Sequence, residues 1–175
     1  MTQNTALTIS IGVLGALDTW LTATILPLPV WVTFIAWASF FIVGGGTRGW
    51  VQSVSCNLTG IAIASLTLLC ISVAPSSPII GAVLVGIGSA AMVQASKLGL
   101  ISITPAIVWG FASLVGTTAA TGVAITSPGL THPTLVCAAS MVLGATFGLA
   151  SELWANAMTA KSAKAVEPVE SSPTV

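Results

Sequence analysis

The feature that most constrains this chain is a succession of long apolar runs, separated by short breaks that contain proline or glycine. The runs lie near residues 7–26, 30–43, 50–73, 79–96, 100–124 and 134–158. A helix of about 20 apolar residues crosses a hydrocarbon core about 30 Å thick. The alternating segments of about ten residues that build membrane β-barrels are not seen. The pattern therefore predicts an all-α, polytopic membrane helix bundle, with six transmembrane helices in residues 1–158.

Charge is too scarce for a water-soluble domain of this length. Charged residues make up 5% of the chain, whereas an ordinary soluble domain is about a quarter charged. Lipid must therefore be the main solvent of the chain, and the bilayer its first partner. The net charge of zero gives no support to nucleic acid or acidic substrates as partners. Residues 159–175 are polar, and we expect a disordered cytoplasmic tail.

The basic residues predict an orientation for the six spans. With a cytoplasmic N-terminus, the cytoplasmic segments are the two ends of the chain and the loops after spans two and four. The basic residues fall only there: Arg48, Lys97, Lys161 and Lys164. Because cytoplasmic loops of membrane proteins carry an excess of Lys and Arg, both termini are predicted to be cytoplasmic. The expected location is the cell inner (plasma) membrane, crossed several times.

Two acidic residues, Asp18 and Glu152, lie inside predicted spans. A carboxylate at the centre of a membrane helix costs about 2.5–3.5 kcal/mol on insertion scales, so each acid needs a partner or a function. Arg48 or Lys97 is within reach of Glu152, and His132 is the nearest candidate partner for Asp18. His132 has two interpretations: an exposed loop residue, or a proton-sensitive gate that pairs with Asp18.

Asn57 and four tryptophans leave further alternatives open. A mid-span amide such as Asn57 either joins helices or lines a pore. The tryptophans are interpreted as interfacial anchors and packing residues, or as an aromatic constriction: Trp20, Trp31, Trp37 and Trp50.

Recognisable catalytic and ligand-binding motifs are missing from the sequence. The three cysteines lie in apolar runs without a CxxC pair, and the single histidine has no companion motif. We therefore expect no catalytic residues, no cofactor and no metal, and the chain is not predicted to be an enzyme.

Small residues lie on several of the predicted helices and leave little side-chain bulk on those faces. Gly144 and Gly148 form a GxxxG pair in span six, and span four is rich in glycine and alanine. Such faces allow close helix packing, either within the chain or between the subunits of a homo-oligomer.

Four ordered motifs carry a resemblance to a known family. They are Gly12-Val13-Leu14-Gly15 with Trp20; Trp31 and Phe34 with Gly46-Thr47-Arg48-Gly49; Gln94-Ala95-Ser96-Lys97-Leu98 with Pro105 and Gly110; and Phe147-Gly148. Over residues 10–155 the chain resembles the YcdZ-like bacterial inner-membrane family, domain of unknown function 1097. The resemblance implies six membrane helices and no established substrate. Asp18 departs from the family pattern, which has a small or apolar residue there.

The predicted function is a permease or channel for a small neutral or weakly acidic solute, working passively or linked to protons. The candidate path or gating residues are Asp18, Arg48, Asn57, Lys97, His132 and Glu152. A transporter of this kind should join Asp18, Asn57 and Arg48 in an enclosed polar file. The alternative is a membrane scaffold, or an accessory subunit of another complex, that transports nothing. Arg48 either touches a solute or serves the hairpin of residues 44–60 as a topology anchor.

Overall fold

The structure of the protein is a computed structural model, and it describes residues 1–164. Within this range it contains six α-helices, a single 3-10 turn and no β-strand. The elements are α1 (Gln3–Thr24), α2 (Val30–Ile42), α3 (Gly46–Val73), α4 (Pro78–Ala95), the 3-10 turn (Gly99–Ile101), α5 (Thr104–Thr121) and α6 (Pro133–Lys164). The prediction of an all-α helix bundle is confirmed.

Local chemistry sets the helix ends, and it moves several of them from the expected positions. The hydroxyl of Thr2 caps the first turn of α1, so this helix begins at Gln3 rather than near residue 7. Gly122 ends α5 in the left-handed conformation, with φ of 66°. The helix therefore stops at Thr121, three residues before the end expected near residue 124. Pro105 lies in the first turn of α5, where its missing N–H costs little.

Four of the helices are long and apolar enough to cross a membrane: α1, α3, α4 and α6. By contrast, α2 has only 13 residues, and a helix of that size is about 20 Å long. The apolar helices are those expected of an integral membrane protein. The full count of six spans stays a prediction.

The short helix α2 lies among four other helices, and one of its faces forms much of the core. It packs on α6 most extensively, and also on α1, α3 and α5. Its buried residues are Val32, Thr33, Ala36, Trp37, Ser39 and Phe40. The opposite face, with Trp31, Phe34 and Phe41, is exposed. The shortest helix therefore positions the buried polar groups described below.

Glycines bring the helix backbones together inside the bundle. A Cβ on Gly60 of α3 would collide with the Ile107 carbonyl of α5, and a Cβ on Gly110 would collide with the Asn57 carbonyl. In α6, Gly144 packs on the Thr33 backbone and Gly148 on the Phe40 ring. The GxxxG pair therefore serves packing within the chain. The homo-oligomer stays a prediction, with Gly81 and Gly86 of α4 open to their surroundings.

The start of α1 and the end of α6 lie at the same end of the bundle. Gln3 donates a hydrogen bond to Asn156 at 2.9 Å, and the N-terminal amine donates to Ser162. Arg48 lies there too, because Gly46 of the same hairpin is bonded to Glu152 of α6. Lys97 comes two residues before the 3-10 turn Gly99–Ile101, and this turn lines a cleft together with Arg48. We call this the basic end of the bundle; its cytoplasmic location stays a prediction.

Helix α6 continues past the expected end of the membrane domain. Residues 159–164 belong to this helix, although a disordered tail was expected from residue 159. The remainder of the predicted tail, 165–175, lies outside the described residues.

Candidate functional site

Asp18 of α1 is fully buried, and its partner is Thr33 of α2. The Thr33 hydroxyl oxygen, Oγ1, lies 2.5 Å from Asp18 Oδ2, within hydrogen-bond distance. The same hydroxyl also lies 2.7 Å from the Val30 carbonyl oxygen. The fold brings the two side chains together because the break between the helices, with Pro27 and Pro29, turns the chain back on itself.

The second carboxylate oxygen of Asp18, Oδ1, has no hydrogen-bond partner in the structure. Buried polar atoms are almost always hydrogen-bonded, because leaving one unpaired costs about 1–3 kcal/mol, and more when it is charged. The hydroxyl of Ser113 in α5 is the other buried side-chain atom without a partner among residues 1–164. Among residues 1–164, Asp18 is therefore the buried acid that lacks a full set of partners.

A second buried polar group joins α2 to α3. Ser53 donates to Ser39 at 2.8 Å, Ser39 donates to Asn57 Oδ1 at 3.3 Å, and Asn57 Nδ2 donates back to Ser53 at 3.3 Å. All three residues are fully buried. The ring satisfies its own hydroxyl groups, so Asn57 joins two helices in this conformation. The sequence alternative in which Asn57 lines a pore is not tested by this geometry.

Aromatic rings lie between these two polar groups along α2. Trp37 comes four residues after Thr33 and two before Ser39. Its ring stacks on Phe34 and on Phe147 of α6, with centroids 5.8 and 5.7 Å apart, and Nε1 donates to Ser151 at 3.1 Å. Of the four candidate tryptophans, Trp37 is buried, whereas Trp20 and Trp31 are exposed and Trp50 is half-buried. Trp37 is thus the one placed where a constriction would be.

Glu152 binds backbone at the glycine hairpin. Its Oε2 accepts the Gly46 N–H at 2.7 Å, and a Cβ on Gly45 would collide with the carboxylate. Gly45 has φ of 70°, a left-handed conformation that favours glycine. The carboxylate therefore caps the N-terminal end of α3, where a negative charge is favoured. Arg48 and Lys97 were the expected partners; the bond that the structure gives Glu152 is to Gly46.

Arg48 is exposed and lines a cleft at the basic end. The cleft has a volume of about 270 Å³, and its other lining residues are Gln52, Gly99 and Leu100. Lys97 is exposed two residues before Gly99. No hydrogen bond among residues 1–164 joins Arg48 to Asp18 or Asn57. The enclosed polar file expected of a transporter is therefore not continuous in this conformation.

His132 lies in the loop before α6, and it bonds within that loop. Its Nε2 lies 2.8 Å from the Ile125 carbonyl oxygen, and Nδ1 accepts the Thr134 N–H at 3.2 Å. The suggested pairing with Asp18 is not formed, because Thr33 holds Asp18 instead.

A second cleft opens at the end of the bundle opposite the basic end, where α5 ends and α6 begins. Its volume is about 290 Å³. Thr117 and Thr121 of α5 supply hydroxyl groups, and Pro27, Leu130 and Val136 are among its apolar walls. Both clefts are large enough for a small solute, and neither is lined by an acidic side chain.

The sequence identified Asp18 and Asn57 but missed their partners. Thr33, Ser39 and Ser53 were not singled out, because hydroxyl groups are common in membrane helices. A weak signal exists: Thr33 and Ser39 both belong to the 13-residue apolar helix α2. No group of three potential metal ligands occurs among residues 1–164.

Comparisons with known proteins place the chain in a family without an assigned activity. No curated protein and no solved structure matches it. A family model described as "Protein of unknown function (DUF1097)" matches residues 8–156. This match does not test the YcdZ-like name or the bacterial inner-membrane location. Because the match covers most of the sequence, the chain belongs to the DUF1097 family of proteins of unknown function.

Proposed function

We propose that this protein is a permease for a small neutral or weakly acidic solute. The observation that carries the proposal is Asp18, a fully buried acid with one oxygen that has no partner. An acid inside a membrane helix costs about 2.5–3.5 kcal/mol on insertion scales, and such residues mark solute, ion or proton pathways. An uncharged Asn would hold Thr33 at lower cost, so packing alone does not account for a carboxylate.

The surroundings of the buried groups support an uncharged or weakly acidic solute. Thr33, Ser39, Ser53 and Asn57 offer hydroxyl and amide groups, which bind neutral polar molecules. A permanently charged solute would meet no fixed opposite charge at the Ser39–Ser53–Asn57 ring. Arg48 at the basic end would attract a weak acid in its anionic form without holding it inside the membrane.

The proposed path follows the buried face of α2. A solute would pass the Asp18–Thr33 pair, then the ring of Trp37, then the Ser39–Ser53–Asn57 ring, and leave near Arg48. The ring of Trp37, stacked on Phe147, closes this path in the described conformation, and Phe34 stacks on Trp37 from the exposed side of α2. Transport therefore requires Trp37 to move, as a gate does.

A flux screen with purified protein in liposomes tests the proposal. Small amides, weak acids and urea-like solutes are offered in turn, and uptake is compared with protein-free liposomes. We expect one solute class to cross, Asp18→Asn to abolish its flux, and Arg48→Ala to slow it. Glu152→Gln is the matched control, since it also neutralises a helix-borne acid but leaves an oxygen to cap Gly46; its flux should persist.

Two results would overturn the permease. One is the absence of flux for every solute class by the wild-type protein, and the other is unchanged flux in Asp18→Asn. The accessory-subunit alternative gains support if the wild-type protein carries no solute and also co-purifies with a defined membrane partner in constant proportion.

A further inference from the structure

We propose that Asp18 is a proton-binding site, and that its carboxyl group is protonated in the described conformation, with Thr33 as its hydrogen-bond acceptor. The inference deepens the proposed permease by naming a proton as its coupling ion. The coupling of protons to transport rests on the proposed permease function. The proton site itself rests only on the local geometry of Asp18.

The Thr33 hydroxyl has one hydrogen but two close acceptors. Asp18 Oδ2 lies 2.5 Å from Thr33 Oγ1, and the Val30 carbonyl oxygen lies 2.7 Å from it. With an ionised Asp18, one hydrogen must serve both contacts. A proton on Oδ2 resolves this: Asp18 donates to Thr33, and Thr33 donates to Val30. Only the protonated acid supplies one hydrogen for each contact.

The unpartnered oxygen favours the same protonation state. In the ionised acid, Oδ1 would carry part of a negative charge without any donor. In the protonated acid, Oδ1 is a neutral carbonyl oxygen, whose burial costs far less than that of a charge. The fully buried position of Asp18 leaves no exposed surface through which water could supply the missing bond.

Among the side chains that the structure describes, no basic group forms an ion pair with Asp18. Of the helices that pack on α1, α2 has no titratable residue, and α6 has Cys137, Glu152, Lys161 and Lys164. The bond between Gln3 and Asn156 fixes the alignment of α1 with α6. At 1.5 Å per residue, Asp18 lies about 22 Å along α1 from that bond, and Glu152 lies about 6 Å along α6 from it. The charged residues of α6 are therefore remote from Asp18.

Loss of the proton would loosen the junction between α1 and α2. The Thr33 hydrogen would turn to Asp18, and Oδ1 would require a water molecule. Beside this pair, Gly15 of α1 faces the Phe34 ring, whose Cζ lies 3.5 Å from where a Cβ would stand. In the proposed mechanism, water reaches Oδ1 when this contact opens.

Phe34 connects the proton site to the proposed gate. Its ring touches α1 at Gly15 and also stacks on Trp37. A movement of Phe34 that admits water to Asp18 therefore also removes one side of the aromatic stack. Proton release at Asp18 and opening of the path at Trp37 are thereby linked through one side chain.

Infrared difference spectroscopy of the full-length protein in liposomes tests the proton site without any solute. The chain has only four acidic residues, Asp18, Glu152, Glu167 and Glu170, so the carbonyl stretch of a protonated carboxylic acid is readily assigned. We expect this band near neutral pH in the wild type, its loss at high pH, and its absence in Asp18→Asn. Glu152→Gln should retain it. Thr33→Val, which keeps the shape but removes the hydroxyl, should shift the band towards a free acid.

A wild-type spectrum without this band at neutral pH overturns the proposal, and so does a band that survives in Asp18→Asn. If Asp18→Asn fails to fold, Thr33→Val decides: a band that it leaves unshifted contradicts the Asp18–Thr33 bond. Failure of the permease gives a different result, in which the band behaves as expected while no solute crosses. Flux together with an ionised Asp18 would keep the permease and reject the proton site.

Discussion

At the scale of single residues, Glu152 has a role that depends on the packing of α6 against the glycine hairpin. Its carboxylate reaches the first N–H of α3, where Gly45 has no side chain to cap the helix. A side-chain cap contributes about 1 kcal/mol. We expect Glu152→Ala to lower the unfolding temperature in detergent by about 2–4 °C. Glu152→Gln keeps an acceptor oxygen and should lose less; equal losses would show that the oxygen is not the cap.

The sequence predicted which acids are unusual, but not what they contact. Asp18 stood out because an acid in an apolar run is costly wherever the helix packs. Thr33 and Gly46 could not be found as partners, because those contacts depend on which helix faces lie together. The sequence suggested two pairings, His132 with Asp18 and Arg48 or Lys97 with Glu152. Both were inferred from charge and from the predicted side of the membrane. In the structure, the hydroxyl of Thr33 bonds Asp18, and the backbone N–H of Gly46 bonds Glu152.

At the scale of helices, glycines fix the crossing of α3 and α5. A Cβ on Gly110 would overlap the Asn57 carbonyl group, which is backbone and cannot rotate away. Overpacking of this kind costs about 1–3 kcal/mol. We therefore expect Gly110→Ala to lower the unfolding temperature in detergent. Gly86→Ala is the control: nothing lies within 4 Å of its Cβ position, and alanine favours a helix by up to about 1 kcal/mol. Equal unfolding temperatures for both variants would contradict the close crossing.

The breaks between helices could be predicted because proline and glycine act locally. The turns at Pro27 and Pro29, at Gly44–Gly46 and at Pro78 all separate helices as expected. The central position of α2 could not be predicted, since its length and apolar composition say nothing about its neighbours. The extension of α6 to Lys164 was missed for a related reason: alanine and lysine favour a helix, while the polar character of the segment favoured a tail.

At the scale of the whole molecule, the arrangement of the termini makes a topology prediction. Hydrogen bonds place the first residues of α1 beside the last turns of α6, together with Arg48. We expect reporters fused to the N-terminus and to the C-terminus to lie on the same side of the membrane. Following the excess of basic residues, that side should be the cytoplasm. A fluorescent protein and an exported phosphatase report the two sides. Termini on opposite sides would contradict the bundle.

The length of α2 has a consequence for the surrounding lipid. Its exposed face, with Trp31, Phe34 and Phe41, is about 20 Å long, whereas acyl chains of a typical bilayer need about 30 Å. If α2 crosses the bilayer, as the prediction of six spans has it, lipids beside this face must compress or tilt, and the membrane becomes locally thin. Asp18 lies next to the first turns of α2, close to where the thinned layer meets water. In that arrangement, acyl-chain length acts on the protein from outside, by setting how far water lies from Asp18, the unsatisfied acid among residues 1–164.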